Sequence, residues 1–332
     1  MTFPALFVHD TAPRVRIRRI SADDLPSDGD TLVRVAWSGI NYKDALAVKG
    51  HAPIIRGALP FIPGIDLSGE ILETSADEWR TGDCVLQTGW GLGETQWGAY
   101  SGVQRVHARH LVRLPTGLSS KHAMIAGTAG FTAVLAVIAL EEAGITPESG
   151  DIVVTGASGG VGTFAVMALA HAGYRVVASS GSASNQEYLE SMGASRVMDR
   201  SILEAGAARP LDSGHWAGAI DTVGGTTLEA LISQTARHGC VAACGLVGGE
   251  QFSSTVYPFI LRGIRLQGID SNTCPNIVRR KVWKRIAVLT SVYDFDSLAE
   301  EVPFGDIEGA CKRILAGGHA GRMIVSPSEA AG

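Results

Sequence analysis

Ile152-Val153-Val154-Thr155-Gly156-Ala157-Ser158-Gly159-Gly160-Val161-Gly162 decides the fold. The apolar β-branched residues read as a buried strand, a glycine-rich turn follows, and Val161–Ala172 reads as a helix. Gly159 and Gly162 match the last two glycines of G-x-G-x-x-G, and Ala157 stands where the first is expected. Gly159 and Gly160 let a backbone approach a pyrophosphate, and Gly162 lets the helix pack close to the strand. The helix N-terminus adds free N–H groups and the positive end of its dipole. Ser158, Gly159, Gly160, Val161 and Gly162 are therefore candidate phosphate contacts of a dinucleotide. The competing reading is a structural glycine turn.

Working outward, the same β-α alternation repeats. Strands are predicted at Asp151–Thr155, Arg175–Ser179, Arg196–Met198, Trp216–Asp221, Cys240–Cys244 and Ile264–Gly268. Helices are predicted at Asn185–Met192, Thr226–His238 and Val256–Arg262. The strands are short apolar runs rather than alternating ones, as buried parallel strands are. This specifies an α/β fold with a doubly wound parallel sheet. An NAD site places an acidic residue about 20 residues past the loop. Here Ala178–Asn185 holds none, while Ser180, Gly181 and Ser182 offer hydroxyls and backbone, and Arg200 follows the next strand. This favours NADP; the alternative is that the serines cap the next helix.

The flanking sequence differs. The first 120 or so residues carry short alternating runs, Thr31–Trp37 and Gln104–His107, heavily punctuated by Pro and Gly. Met124–Ala143 reads as a helix, Pro275–Leu289 as a helix with a basic face, Asp306–Ala316 as another and Met323–Val325 as a last strand. The expected organisation is discontinuous: 125–272 binds the nucleotide, and 1–124 with 273–332 forms a β-rich catalytic domain.

The chain has 332 residues and a net charge of −5. That mild acidity argues against nucleic-acid binding by bulk charge. No uninterrupted apolar run reaches the length of a membrane span, and no secretory signal is visible at Met1-Thr2-Phe3-Pro4. Five scattered cysteines without a C-x-x-C point to a reducing, cytoplasmic setting.

Four stretches carry a family likeness: Ile40-Asn41-Tyr42-Lys43-Asp44-Ala45-Leu46, Ile62-Pro63-Gly64-Ile65-Asp66, Gly127–Ala133, and Val241–Leu246. With them the chain resembles the medium-chain dehydrogenase/reductase superfamily along its length. Its zinc-free, quinone-oxidoreductase-like branch is most similar, and within it the NADPH-dependent acryloyl-CoA reductase family. The resemblance implies a GroES-like catalytic domain beside the NADP-binding Rossmann domain. In zinc alcohol dehydrogenases the stretch like 41–44 opens with a Cys ligand, here Asn41, and the next ligand is a His, here Ile65. Only Cys84 lies between Thr81 and His110, where a structural zinc lobe needs four cysteines. No metal is expected.

Without a Lewis acid, reduction of an activated C=C is the favoured chemistry. Hydride adds to the β-carbon of an enoyl thioester, donors stabilise the developing enolate, and the α-carbon takes a proton. Asn41, Tyr42, Lys43 and Asp44 are the candidate catalytic set. Tyr42 is the expected donor to the nicotinamide or the substrate and a candidate proton source, the alternative being a packed aromatic beside a turn; Lys43 stabilises charge, and Asp44 caps the following helix or pairs with Lys43. The resemblance places Thr128 near the nicotinamide, the alternative being a helix cap, and implies Leu246 and Ile260 as apolar walls near the cofactor. Trp90, in a glycine-rich loop, roofs the substrate or anchors its loop. A CoA substrate calls for a basic rim, for which Arg56, Arg262, Arg279, Arg280, Lys281, Lys284 and Arg285 are candidates, the alternative for 279–285 being a solvated helix face. The runner-up function is an NADPH-dependent quinone or free enone reductase, and a third is a catalytically silent NADPH-binding protein. The last sheet strand is expected at an edge, which implies a homodimer.

Overall fold

The computed structural model describes residues 2–51, 53–317 and 319–327. The chain divides into two compact units, Met1–Thr128 with Asn272–Gly332, and Ala129–Ser271.

The second unit is built on six parallel strands. Their order is Arg196–Asp199, Val176–Ser180, Ile152–Val154, Trp216–Asp221, Thr235–Ala243 and Arg265–Gly268. In chain order this is 3-2-1-4-5-6, so the sheet reverses direction beside Ile152–Val154, where such sheets bind their ligands. Val153 sits between Val177 and Ala219 in the register, and all three are buried. The Gly160–His171 helix follows the glycine turn. Gly162 is forced by space: a Cβ there would lie 2.3 Å from Gly156 O and 2.5 Å from Ala157 Cα.

Two predicted boundaries move. The helix expected at Thr226–His238 is Gly225–Gln234, and the strand expected from Cys240 begins at Thr235. Thr235 leaves the helical conformation while its Oγ1 donates to Leu231 O. The Arg262 guanidinium donates to the carbonyls of Ser233 and Thr235 and to Asp212 O. Carbonyls that a longer helix would satisfy are thereby satisfied where it stops. Arg262 is thus a helix-end anchor and not part of a substrate rim.

The first unit holds a seven-stranded sheet in which Thr31–Ile40 pairs antiparallel with Asp66–Thr74, Arg322–Val325 and Val103–Val106. A hairpin, Thr2–Val8 with Val15–Ser21, adds a separate two-stranded sheet. The Tyr42–Lys49 helix leaves directly from the end of the Thr31–Ile40 strand.

The helix expected at Met124–Ala143 runs from Ser120 to Glu142 and is broken at Gly127 (φ 51°, ψ −153°). It is long and apolar enough to cross a membrane, although no uninterrupted apolar run suggested this, and most of it is buried in the molecule. A Cβ on Gly127 would lie 2.5 Å from Asp66 Oδ2, so glycine is required by conformation and by space. The break frees backbone groups on either side of Gly127, Ile125 O and the Thr128 N–H.

Candidate active site

Asn41 ends a strand and caps the Tyr42–Lys49 helix. Asp44, at the third helical position, reaches back to accept the Asn41 backbone N–H (2.9 Å), one arm of a capping box. Its other oxygen accepts from the Ile65 N–H at 3.0 Å. The Asn41 amide then bridges two carboxylates: Nδ2 donates to Asp44 Oδ2 (3.0 Å) and to Asp66 Oδ2 (2.9 Å). Arg322, from the last strand, donates to Asn41 Oδ1 at 3.0 Å, which fixes which way the amide points. Its Nε takes Ile125 O, freed by the Gly127 break. Thr128, on the other side of the break, donates from N (2.8 Å) and Oγ1 (2.5 Å) to Asp66. Gly39 and Gly127 make room, since a Cβ on either would meet Asp66 Oδ2 and Arg322 Nη2.

Asn41, Asp44, Asp66 and Arg322 are all buried. Burial and the charge of Asp66 push the Asp44 carboxyl up to about 7, against the pull of the three N–H groups it accepts. Burial works against the charge on Arg322, and Asp66 and Asp44 favour it. The guanidinium stays protonated, since arginine titrates far above neutrality.

The four-residue motif thus separates by role. Asn41 was expected to donate to substrate, but both its amide N–H groups are spent on carboxylates and it serves as the bridge. Asp44 holds the helix start and does not pair with Lys43. Lys43 Nζ instead donates to Glu94 Oε1 at 2.8 Å. Tyr42 lies on the first helical turn, 41% exposed, and its hydroxyl makes no hydrogen bond among the described residues. Thr128 is held by Asp66 rather than left free for a ligand.

Several rim candidates are relocated. Arg279 is buried, and its guanidinium donates to the carbonyls of Thr88, Asn272 and Cys274. It pins the 88–90 turn to the start of the Asn276–Leu289 helix and is not a substrate contact. Its neighbour Arg280 faces solvent with Lys281 and Lys284. Trp90, held at φ 56°, stacks on His110 (5.0 Å, 4°) beneath Arg279, so the structure favours the loop-anchor reading. Arg56 is bound to Glu94. Glu94 and Arg322 escape a reading of the sequence, and Asp66, although it closes the Ile62–Asp66 stretch, is not marked by it as a site residue.

In the other unit Ser158, Gly159, Gly160 and Val161 are partly accessible at the start of the Gly160–His171 helix, while Gly162 is buried. Ser180 accepts from Asn185 Nδ2, Gly181 and Ser182 are exposed, and Arg200 lies over Gly181. A side chain on Gly181 would strike the Arg200 guanidinium at 2.4 Å from Nε. Arg200 also pairs with Glu204 at 3.1 Å on the exposed surface. This cradle of helix N–H groups, hydroxyls and a guanidinium fits a dinucleotide bearing an extra phosphate. Leu246 (59% exposed) and Ile260 (68%) are exposed apolar side chains of this unit, as are Val247, Val256 and Leu261.

A zinc ion does not fit the first unit's site. An amide and a buried isoleucine stand where ligands are needed, and a guanidinium lies against Asn41. Among the described residues, no three His, Cys, Asp or Glu side chains form a metal set.

The Asp44 geometry has a measurable consequence. Its pKa is raised on folding, from 3.8 to about 7, so its contribution to stability is greatest below 3.8 and is lost as pH rises through 7. Asp44→Asn does not titrate. Its stability relative to wild type, by urea unfolding, should rise between pH 4.5 and 8; a difference independent of pH contradicts the assignment.

Two family models match the chain: the alcohol dehydrogenase GroES-like domain over residues 27–116 and the zinc-binding dehydrogenase over 160–288. Acrylyl-CoA reductase AcuI of Ruegeria pomeroyi is 42% identical over 309 residues, covering 93% of each chain. The YhdH oxidoreductase of Salmonella enterica, solved in complex with NADP, superposes with a TM-score of 0.93 at 44% identity, covering 97% of this chain and 99% of that one. YhfP of Bacillus subtilis, solved with NAD bound, gives 0.93 at 43% identity over 98% and 99% of the two chains. The chain belongs to the medium-chain dehydrogenase/reductase superfamily, in the branch that contains the acrylyl-CoA reductases.

Proposed function

We propose that the chain reduces the C=C bond of an enoyl thioester, acryloyl-CoA to propionyl-CoA foremost, with NADPH as reductant. The observation that carries this reading is the state of the 41–44 motif: it lacks metal ligands, and its one uncommitted side chain is a phenol. The near full-length likeness to an acrylyl-CoA reductase supports the substrate class. The likeness to an NADP complex, with the acid-free Ser180–Ser182 segment and Arg200, supports the cofactor.

NADPH, held by the second unit, would supply the hydride that the β-carbon of the substrate takes up. The residues 158–162, 180–182 and 200 bind and orient the nucleotide's phosphates. Tyr42 donates a hydrogen bond to the thioester oxygen as negative charge develops there, and its phenol is the proposed source of the proton for the α-carbon. The buried network behind it fixes the helix start that presents Tyr42. An uncharged quinone or free enone is the second reading, and needs no cationic contact for a carrier.

Tyr42→Phe keeps the ring and removes only the donor. It should lower kcat for acryloyl-CoA by about 100-fold, with KM for NADPH nearly unchanged. Steady-state kinetics with wild-type kcat would remove Tyr42 from the mechanism; a parallel loss of NADPH affinity would assign it to cofactor binding.

The second unit supports a homodimer. The Arg265–Gly268 strand pairs on one side only, and the helix before it exposes Ile260 and Leu261. Light scattering at micromolar concentration should give twice the chain mass, and a monomer would refute the pairing.

A further inference from the structure

Glu94 is a buried carboxylate that the mechanism above does not use. The glycine-rich turn around it explains its burial. Glu94, Thr95 and Gln96 all donate their N–H groups to Gly91 O, and Gly91 and Gly93 take positive φ. The side chain is thereby turned inward, where it meets two cations from two other segments. Lys43 Nζ, on the helix turn that carries Tyr42, donates to Oε1 at 2.8 Å, and Arg56 Nη2 donates to Oε2. The Arg56 backbone N–H also donates to Glu94 O at 2.7 Å.

The charges do not balance. Glu94 has a side-chain exposure of 6%, Lys43 39% and Arg56 57%, so one buried negative charge holds two cations that both reach solvent. One positive charge is left over, fixed beside Tyr42 and directed outward. Such a pair has the chemistry of a phosphate receptor: a planar guanidinium and an ammonium at a defined separation. An acrylyl group carries no charge, so the anions the substrate brings are those of its carrier. In the reading above, the nucleotide's own phosphates are met by the glycine loop and Arg200.

We propose that Lys43 and Arg56 form a lip that receives a phosphate of the thioester's carrier, and that Glu94 positions them. This rests on the enoyl-thioester reading above. It adds a residue that sequence reasoning did not single out and pairs Lys43 with Arg56 in one role.

The test compares acryloyl-CoA with acryloyl-pantetheine, which has the same reacting group and no phosphate. Arg56→Met should raise KM for acryloyl-CoA about fivefold to tenfold, less at high salt, with a change below about twofold for the pantetheine thioester. Glu94→Gln separates positioning from net charge. Removing a negative charge alone would tighten phosphate binding, whereas loss of positioning should raise KM for acryloyl-CoA about threefold, again without moving the neutral thioester. Equal rises for the two thioesters in either variant would reduce Glu94 to a loop strut. An unchanged or lowered KM for acryloyl-CoA would likewise overturn the proposal. Calorimetric binding of free CoA against pantetheine to the wild type and to Arg56→Met tests the lip without turnover. CoA should bind the wild type more tightly, and lose that advantage in the variant. A wild type that reduces neither thioester while still preferring CoA defeats the enoyl-thioester reading and leaves the lip standing.

Discussion

One amide holds the first unit's site together. Asn41 Nδ2 lies between the carboxylates of Asp44 and Asp66, and its oxygen is held by Arg322. Two carboxylates in a buried setting repel one another, and each carries a desolvation cost. The site meets this with one guanidinium, one bridging amide, three backbone N–H donors and one hydroxyl. Every other feature nearby follows from making that fit. Gly39 and Gly127 lack side chains because the network occupies their space, and the Ser120–Glu142 helix breaks where its backbone is needed.

The chemistry inherits this arrangement. In a zinc dehydrogenase these positions would hold a cation directly. Here the fixed positive charge is Arg322, carried on a strand and committed to Asn41 Oδ1 and Ile125 O. It organises the helix start without offering an open coordination position. The groups left to face a ligand are those on the helix's first turn, Tyr42 and Lys43. The second unit supplies what the first lacks, a glycine turn at the reversal point of a parallel sheet.

The sheet of the second unit was legible because its signals are local. A β-branched run, a glycine turn and a helix follow one another within about a dozen residues. Helix ends were less legible: Gly225–Gln234 stops where Arg262 takes its carbonyls, and Arg262 lies more than a turn of sequence away. The network was partly legible, since Asn41, Asp44 and Thr128 stand in motifs. Arg322 was not, because its partner Asn41 is 281 residues distant. Arg279 was misread although a signal existed. It falls on the helical stripe of Val282, Trp283 and Ile286, all buried, so its spacing places it on the inner face, whereas Arg280 lies on the outer one. Glu94 had no comparable signal, since a lone acid in a glycine-rich loop has no period.

A metal-free donor set in the first unit and an NADP cradle in the second serve an enoyl thioester. NADPH oxidation by the purified protein, followed at 340 nm with acryloyl-CoA, crotonyl-CoA and a quinone side by side, tests this. kcat/KM should be highest for acryloyl-CoA and undiminished after exhaustive chelation. Turnover of the quinone alone, or activity that depends on a restored metal, would contradict it.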